Sequence, residues 1–91
     1  MKPEKLLDSI SSRESFLQFL EALIADRCES LKQEKIAPSS PYSAKANGWE
    51  NISIEHFLEA MQAWAIDSQA LNEQPGWRDF AQLLLAGKSY E

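Results

Sequence analysis

The chain contains one cysteine, Cys28, so it can form no disulfide within itself. Dependence on an oxidising compartment is therefore not expected. It contains one histidine, His56, and three glycines. Glu59 shares a helical face with His56, and Glu55 adjoins it, but no second histidine stands nearby and Cys28 is distant in sequence. A metal site normally draws three or four protein ligands, so none is expected here. The patterns G-x-S-x-G, H-E-x-x-H and C-x-x-C are absent, and the glycines form no nucleotide-binding motif. The sequence therefore points to no catalytic residue, no metal ligand and no cofactor, and an enzyme is not expected.

Long apolar runs are missing too. None approaches the roughly 20 residues of a membrane-spanning helix. Met1-Lys2-Pro3-Glu4 leads into no apolar stretch, so a signal peptide is not expected. Basic residues number 9 against 14 acidic ones, a net charge of −5, and they do not cluster. Binding to nucleic acid or to an anionic membrane would need such a cluster. Both are excluded as expected partners, and the cytoplasm is the expected location. β-Branched residues are scarce and no run alternates as a surface strand does.

What remains is an apolar content of 44% in 91 residues, with three Trp, four Phe and two Tyr. That suits one globular domain, 1–91. Pro3 and Glu4 suit the start of a short helix over residues 3–9. Ser11 with Glu14 has the spacing of a capping box, and Ser12 is an equally good cap. Phe16, Leu20, Leu23, Arg27 and Leu31 then recur at helical spacing, with Leu17, Ile24 and Cys28 beside them. They predict a helix from about residue 13 to about 34. On its inner edge Cys28 reads as a small buried thiol.

A loop follows at about 37–51, rich in Pro, Ser, Asn and Gly. Ser53 caps the second main helix, about 54–70, and Ile52 with Phe57 has the spacing of a hydrophobic staple. The third starts near Pro75 or Gly76, with Gly87 as its stop and Lys88 favourable at its negative end. The predicted fold is all-α, a small three-helix bundle plus a short N-terminal helix. The expected core is Phe16, Leu20, Leu23, Ile24, Phe57, Met61, Trp64, Trp77, Phe80 and Leu84. Phe57, Trp64, Trp77 and Phe80 are its expected aromatic centre.

One absence is local. Between Ala46 and Trp77 there is no Lys or Arg, while Glu50, Glu55, Glu59, Asp67 and Glu73 carry five negative charges. A patch of one sign attracts a partner of the other. Trp49 stands at its edge, and tryptophan is enriched at binding hot spots. Trp49, Glu50, Glu55, Glu59, Asp67 and Glu73 are thus the candidate binding residues for a basic protein. The alternative for Trp49 is that it closes the core, as tryptophan is highly buried on average. Two further readings stand beside this one: a ligand-binding protein or enzyme with a pocket near His56 or the long loop, and a homodimer that covers a spare apolar stripe.

The order Phe16 to Leu20, Gly48-Trp49-Glu50-Asn51, Phe57-Leu58-Glu59-Ala60-Met61, Trp64, Trp77-Arg78-Asp79-Phe80-Ala81 and Tyr90-Glu91 resembles a family of short bacterial proteins catalogued as a domain of unknown function. The resemblance covers most of the chain. It implies a bacterial origin and a compact helical fold, and it brings no catalytic residue. In size and charge such proteins look like the immunity proteins of bacterial toxin systems. The linker from Pro38 to Ala46 is the part to which the resemblance transfers least.

Overall fold

Proline fixes its own φ near the helical value and lacks the N–H that a first helical turn leaves unpaired. In the computed structural model, which describes residues 2–91, Pro3 opens α1, Pro3–Leu6, and is itself buried. A 3-10 turn, Leu7–Ser9, follows. It delivers Ile10 into the interior, 3% exposed.

Ser12 caps α2, Arg13–Ile36. Its Oγ accepts from the Ser15 N–H at 3.2 Å, and the Ser15 Oγ accepts from the Ser12 N–H at 3.0 Å. The reciprocal box closes through Ser12 and Ser15 rather than Ser11 and Glu14, because the extended residue that precedes the first turn is Ser12. The helix ends with the Ala37 N–H on the Gln33 carbonyl, just before Pro38. The Ser53 Oγ accepts from the His56 N–H and starts α3, Ile54–Ser68. Gln69, in the left-handed region at φ 53°, ends it. Asp79 accepts from the Gly76 N–H at 2.8 Å at the start of α4, Trp77–Ser89.

Gly87 is not the stop that its residue type suggests. It lies inside α4, where a Cβ would stand 2.7 Å from Phe57 Cζ and 2.9 Å from Met61 Cγ. The missing side chain lets α3 approach α4, and the buried alanines Ala60, Ala81 and Ala86 are found on the same two helices. Among the described residues no strand forms; a single bridge joins Lys45 and Trp49. The all-α architecture matches the sequence expectation.

The interior differs in detail from that expectation. Phe19 is fully buried and lies at its centre, with Ile10, Leu23, Trp49 and Ala81 around it. Phe16, Phe57, Leu84 and Leu85 pack against this cluster from its sides. Leu20, Met61 and Trp64 are half-buried. Ile24 is 64% exposed, and Trp77 and Phe80 are 41% exposed, so these three leave the predicted core. Cys28 is exposed, not a buried thiol.

The physical reason lies in α2. Its inward line is Phe16, Phe19, Leu23, Asp26 and Ser30, turned away from Ile24 and Cys28 and polar in its second half. In α4 the small Ala81 takes the inward position beside Phe80. Trp77 lays one side of its ring on Phe16, with centroids 5.3 Å apart. Phe19→Ala should therefore cost about 3–5 kcal/mol of unfolding free energy in chemical denaturation. Phe80→Ala should cost well under half as much, the reverse of the order that an aromatic centre at Phe80 predicts.

Candidate functional site

The polar second half of the α2 inward line is the start of a buried network. Asp26 is 7% exposed and Lys88, in the last turn of α4, is 4% exposed. Lys88 Nζ donates to Asp26 Oδ2 at 2.7 Å and also reaches Glu4 of α1 at 3.2 Å. The Trp49 indole Nε1–H donates to the same Asp26 oxygen at 2.9 Å. Arg27 and Lys88 both stand near the Trp49 ring, 5.3 and 5.5 Å from its centroid. That is the range of a cation–π contact.

The segment around Trp49 is shaped to reach this point. A 3-10 turn, Ala46–Gly48, carries Asn47 and Gly48 at positive φ, 63° and 79°. Asn47 Nδ2 donates to the Asp26 carbonyl at 3.1 Å. The N–H groups of Glu50 and Asn51 both donate to the Lys88 carbonyl. Asn51 Nδ2 then donates to the carbonyls of Gly87 and Tyr90. Carbonyls that the end of α4 would leave unpaired are thus satisfied from the loop. At its other side the loop is held by Glu34, which accepts from the Ser39 N–H, the Ser39 hydroxyl and the Ala46 N–H. The Ser39 bonds, then the Ala46 bond, hold the Glu34 carboxyl down from 4.5 to about 2. Among the described residues every buried side-chain N or O has a hydrogen-bond partner.

The open concavity lies on another side. A cavity of about 550 Å³ has Leu7, Trp64, Leu85 and Ala86 among its walls. Glu50, Tyr90 and Glu91 stand at it, and no Lys or Arg lines it. Glu50 is pushed above the ordinary carboxylate range, first by its hydrogen bond with Glu91, then by burial and by the Glu91 charge. Tyr90 Oη donates to Asp67 at 2.5 Å. That bond is the main cause of the raised Tyr90 hydroxyl; burial and the charge of Asp67 push the same way.

The candidate binding residues therefore separate. Trp49 is 5% exposed and closes the core. Glu50 lines the cavity, and Asp67 reaches it through Tyr90. Glu55 and Glu59 are exposed on α3, and Glu73 is exposed in the turn before α4. His56 is exposed and lines none of the cavities described; a hollow of about 170 Å³ beside Ile52 and Phe57 is the nearest in sequence. Among the described residues no three His, Cys, Asp or Glu side chains gather as a metal site would need. Sequence reasoning missed Asp26, Lys88, Asn51 and Glu34. The one available signal was that a buried indole N–H needs an acceptor.

Removing one member of the buried pair should be worse than removing both. Lys88→Met should lose about 3–5 kcal/mol of stability, because it strands a buried carboxylate. Adding Asp26→Asn should recover part of that loss in a double-mutant cycle. Glu34 predicts a second effect. Its folded carboxyl titrates below its unfolded one, so its contribution is present above 4.5 and is lost as pH falls toward about 2. Stability measured across that window should fall less steeply in Glu34→Gln than in the native chain.

No curated protein matches the chain, and no solved structure matches it. One family model does, across residues 12–91, and it takes in the capping box, the Trp49 segment and α4. The chain therefore belongs to the family of unknown function DUF7660.

Proposed function

We propose that this domain is a non-enzymatic interaction module that receives a basic segment of a partner protein on its acidic side. The observation that carries the reading is the 550 Å³ cavity: apolar walls from Trp64 and Leu85, Glu50 and Glu91 at its edge, and no basic lining residue. Apolar contact suits the alkyl stem of Lys or Arg, and carboxylates suit its charged head. A cation placed there would also relieve the crowding of Glu50 against Glu91. Glu55, Glu59 and Glu73, all exposed, extend the negative field over the stretch that lacks Lys and Arg. A basic toxin countered by a small acidic immunity-like protein is one such partner, and the cytoplasm is the compartment we assign.

The site has the volume of a small-molecule pocket, which is about 300–1,000 Å³. Its open acidic margin and the exposed carboxylates beyond it favour a longer basic chain. Titration calorimetry tests this with a synthetic Lys/Arg-rich peptide and its Glu-substituted counterpart. The basic peptide should bind and the acidic one should not. Affinity should fall about tenfold or more between about 50 and 500 mM salt. Glu50→Gln with Glu59→Gln should weaken it further. Absence of binding, or binding indifferent to salt and to both substitutions, overturns the proposal.

A further inference from the structure

Two carboxyl groups meet at the edge of the acidic cavity, and the backbone around them holds them there. The N–H groups of Glu50 and Asn51 donate to the Lys88 carbonyl at 3.1 and 3.2 Å. Asn51 Nδ2 reaches the Tyr90 carbonyl at 2.9 Å, and the Tyr90 N–H closes on the Ala86 carbonyl at 2.8 Å. The Tyr90 hydroxyl is tied to Asp67 of α3. The bonds of their neighbours thus bring residues 50 and 91 together, and the Glu50 carboxyl lies within hydrogen-bonding reach of the Glu91 carboxyl. Two like charges gain nothing from such a meeting by themselves. No Lys or Arg lines the cavity to offset them, and Lys88 is engaged by Asp26 and Glu4.

The walls beside this pair are apolar, and one of them is aromatic. Trp64, half-buried on α3, lines the same cavity as Leu7, Leu85 and Ala86. Paired carboxylates near an indole suit arginine better than lysine. The guanidinium is a planar fork whose N–H donors can engage two carboxylates at once, and its face stacks on an aromatic ring. The ammonium of lysine is compact, strongly hydrated and has no face to stack. The exposed Glu55, Glu59 and Glu73 would satisfy it as well as this cavity does.

We infer that the cavity is an arginine site. An Arg side chain of the basic segment lays its alkyl stem on Leu85 and Ala86, bridges Glu50 and Glu91 with its guanidinium, and stacks on Trp64. The inference rests on the proposed basic partner and adds which of its residues is read. Asn51 acts here as a positioning residue: it holds the backbone of Tyr90, and with it Glu91, beside Glu50.

Titration calorimetry of the full chain tests this with two peptides of equal length and charge, one with only Arg at its basic positions and one with only Lys. The Arg peptide should bind about tenfold tighter. Glu91→Gln changes an exposed residue and removes one arm of the bridge, so the ratio should drop to about twofold or less. Trp64→Leu should lower the ratio likewise, with an unchanged helical circular dichroism signal. Where that signal is lost, Glu91→Gln alone decides. Glu59→Gln, outside the cavity, should weaken both peptides and leave their ratio as it is. Equal affinities in the native chain sink the arginine site alone and leave the basic-partner reading standing. An Arg preference that survives both Glu91→Gln and Trp64→Leu also overturns the inference. If neither peptide binds, both readings fall.

Discussion

A buried carboxylate is tolerated only when charged or polar donors replace the water it has lost. Asp26 receives both of its donors from distant parts of the chain, the Trp49 indole 23 residues on and the Lys88 ammonium 62 residues on. That single requirement fixes three segments relative to one another. α2 contributes the acceptor, α4 must bring its last turn alongside, and the loop between α2 and α3 must fold inward far enough to place an indole N–H. Glu4 of α1 then accepts a further hydrogen bond from the Lys88 ammonium, so the N-terminal turn is tied to the same point. Unlike apolar contact, the arrangement is directional, and it specifies the fold as much as it stabilises it.

The same point explains why the long loop is ordered at both ends. Glu34 gathers its first part through Ser39 and Ala46. Asn47, Trp49 and Asn51 fasten its last part to α2 and α4. Only the middle is left to solvent, where Tyr42 is 98% exposed. The carbonyls at the end of α4 that a capping residue normally satisfies are met here by the loop. This accounts for α4 continuing past Gly87: the helix ends where its cap is, and the glycine has a different task. Contact with Phe57 and Met61 at that position demands a residue without a side chain.

Much of the fold was legible because it rests on local signals. Ser12, Ser53 and the apolar spacing of α3 placed helix starts to within a residue or two, since caps and periodicity act over three or four positions. The acidic stretch was legible too, being a count of charges along the chain. The orientation of α2 was not. That helix carries large apolar residues nearly all round, so periodicity allowed more than one inward face. The true one is marked by Asp26 and Ser30, which local reasoning assigns to solvent. Their burial follows from partners 23 to 62 residues away, and no window of a dozen residues contains that information. Lys88 stands in the last turn of α4 as expected, but its burial was missed for the same reason: a lysine in a last turn fits the helix dipole as well as it fits a buried partner. The candidate site was legible as charge and not as shape, because Trp64 and Tyr90 meet only when α3 packs on α4.

Placing polar groups inside has a consequence outside. A small domain has few inward positions, and α2 gives two of them, Asp26 and Ser30, to the network. Ile24 and Leu31 then have no interior to enter. In a chain where the buried cluster is as small as Ile10, Phe19, Leu23, Trp49 and Ala81, an exposed row of Leu17, Ile24 and Leu31 is a large fraction of the apolar side chains that α2 carries. An unstructured apolar surface of that kind would favour indiscriminate association. The buried ion pair and the exposed stripe are thus two sides of one helix. The first dictates which way α2 faces the core, and by doing so it decides which residues are left to meet another molecule.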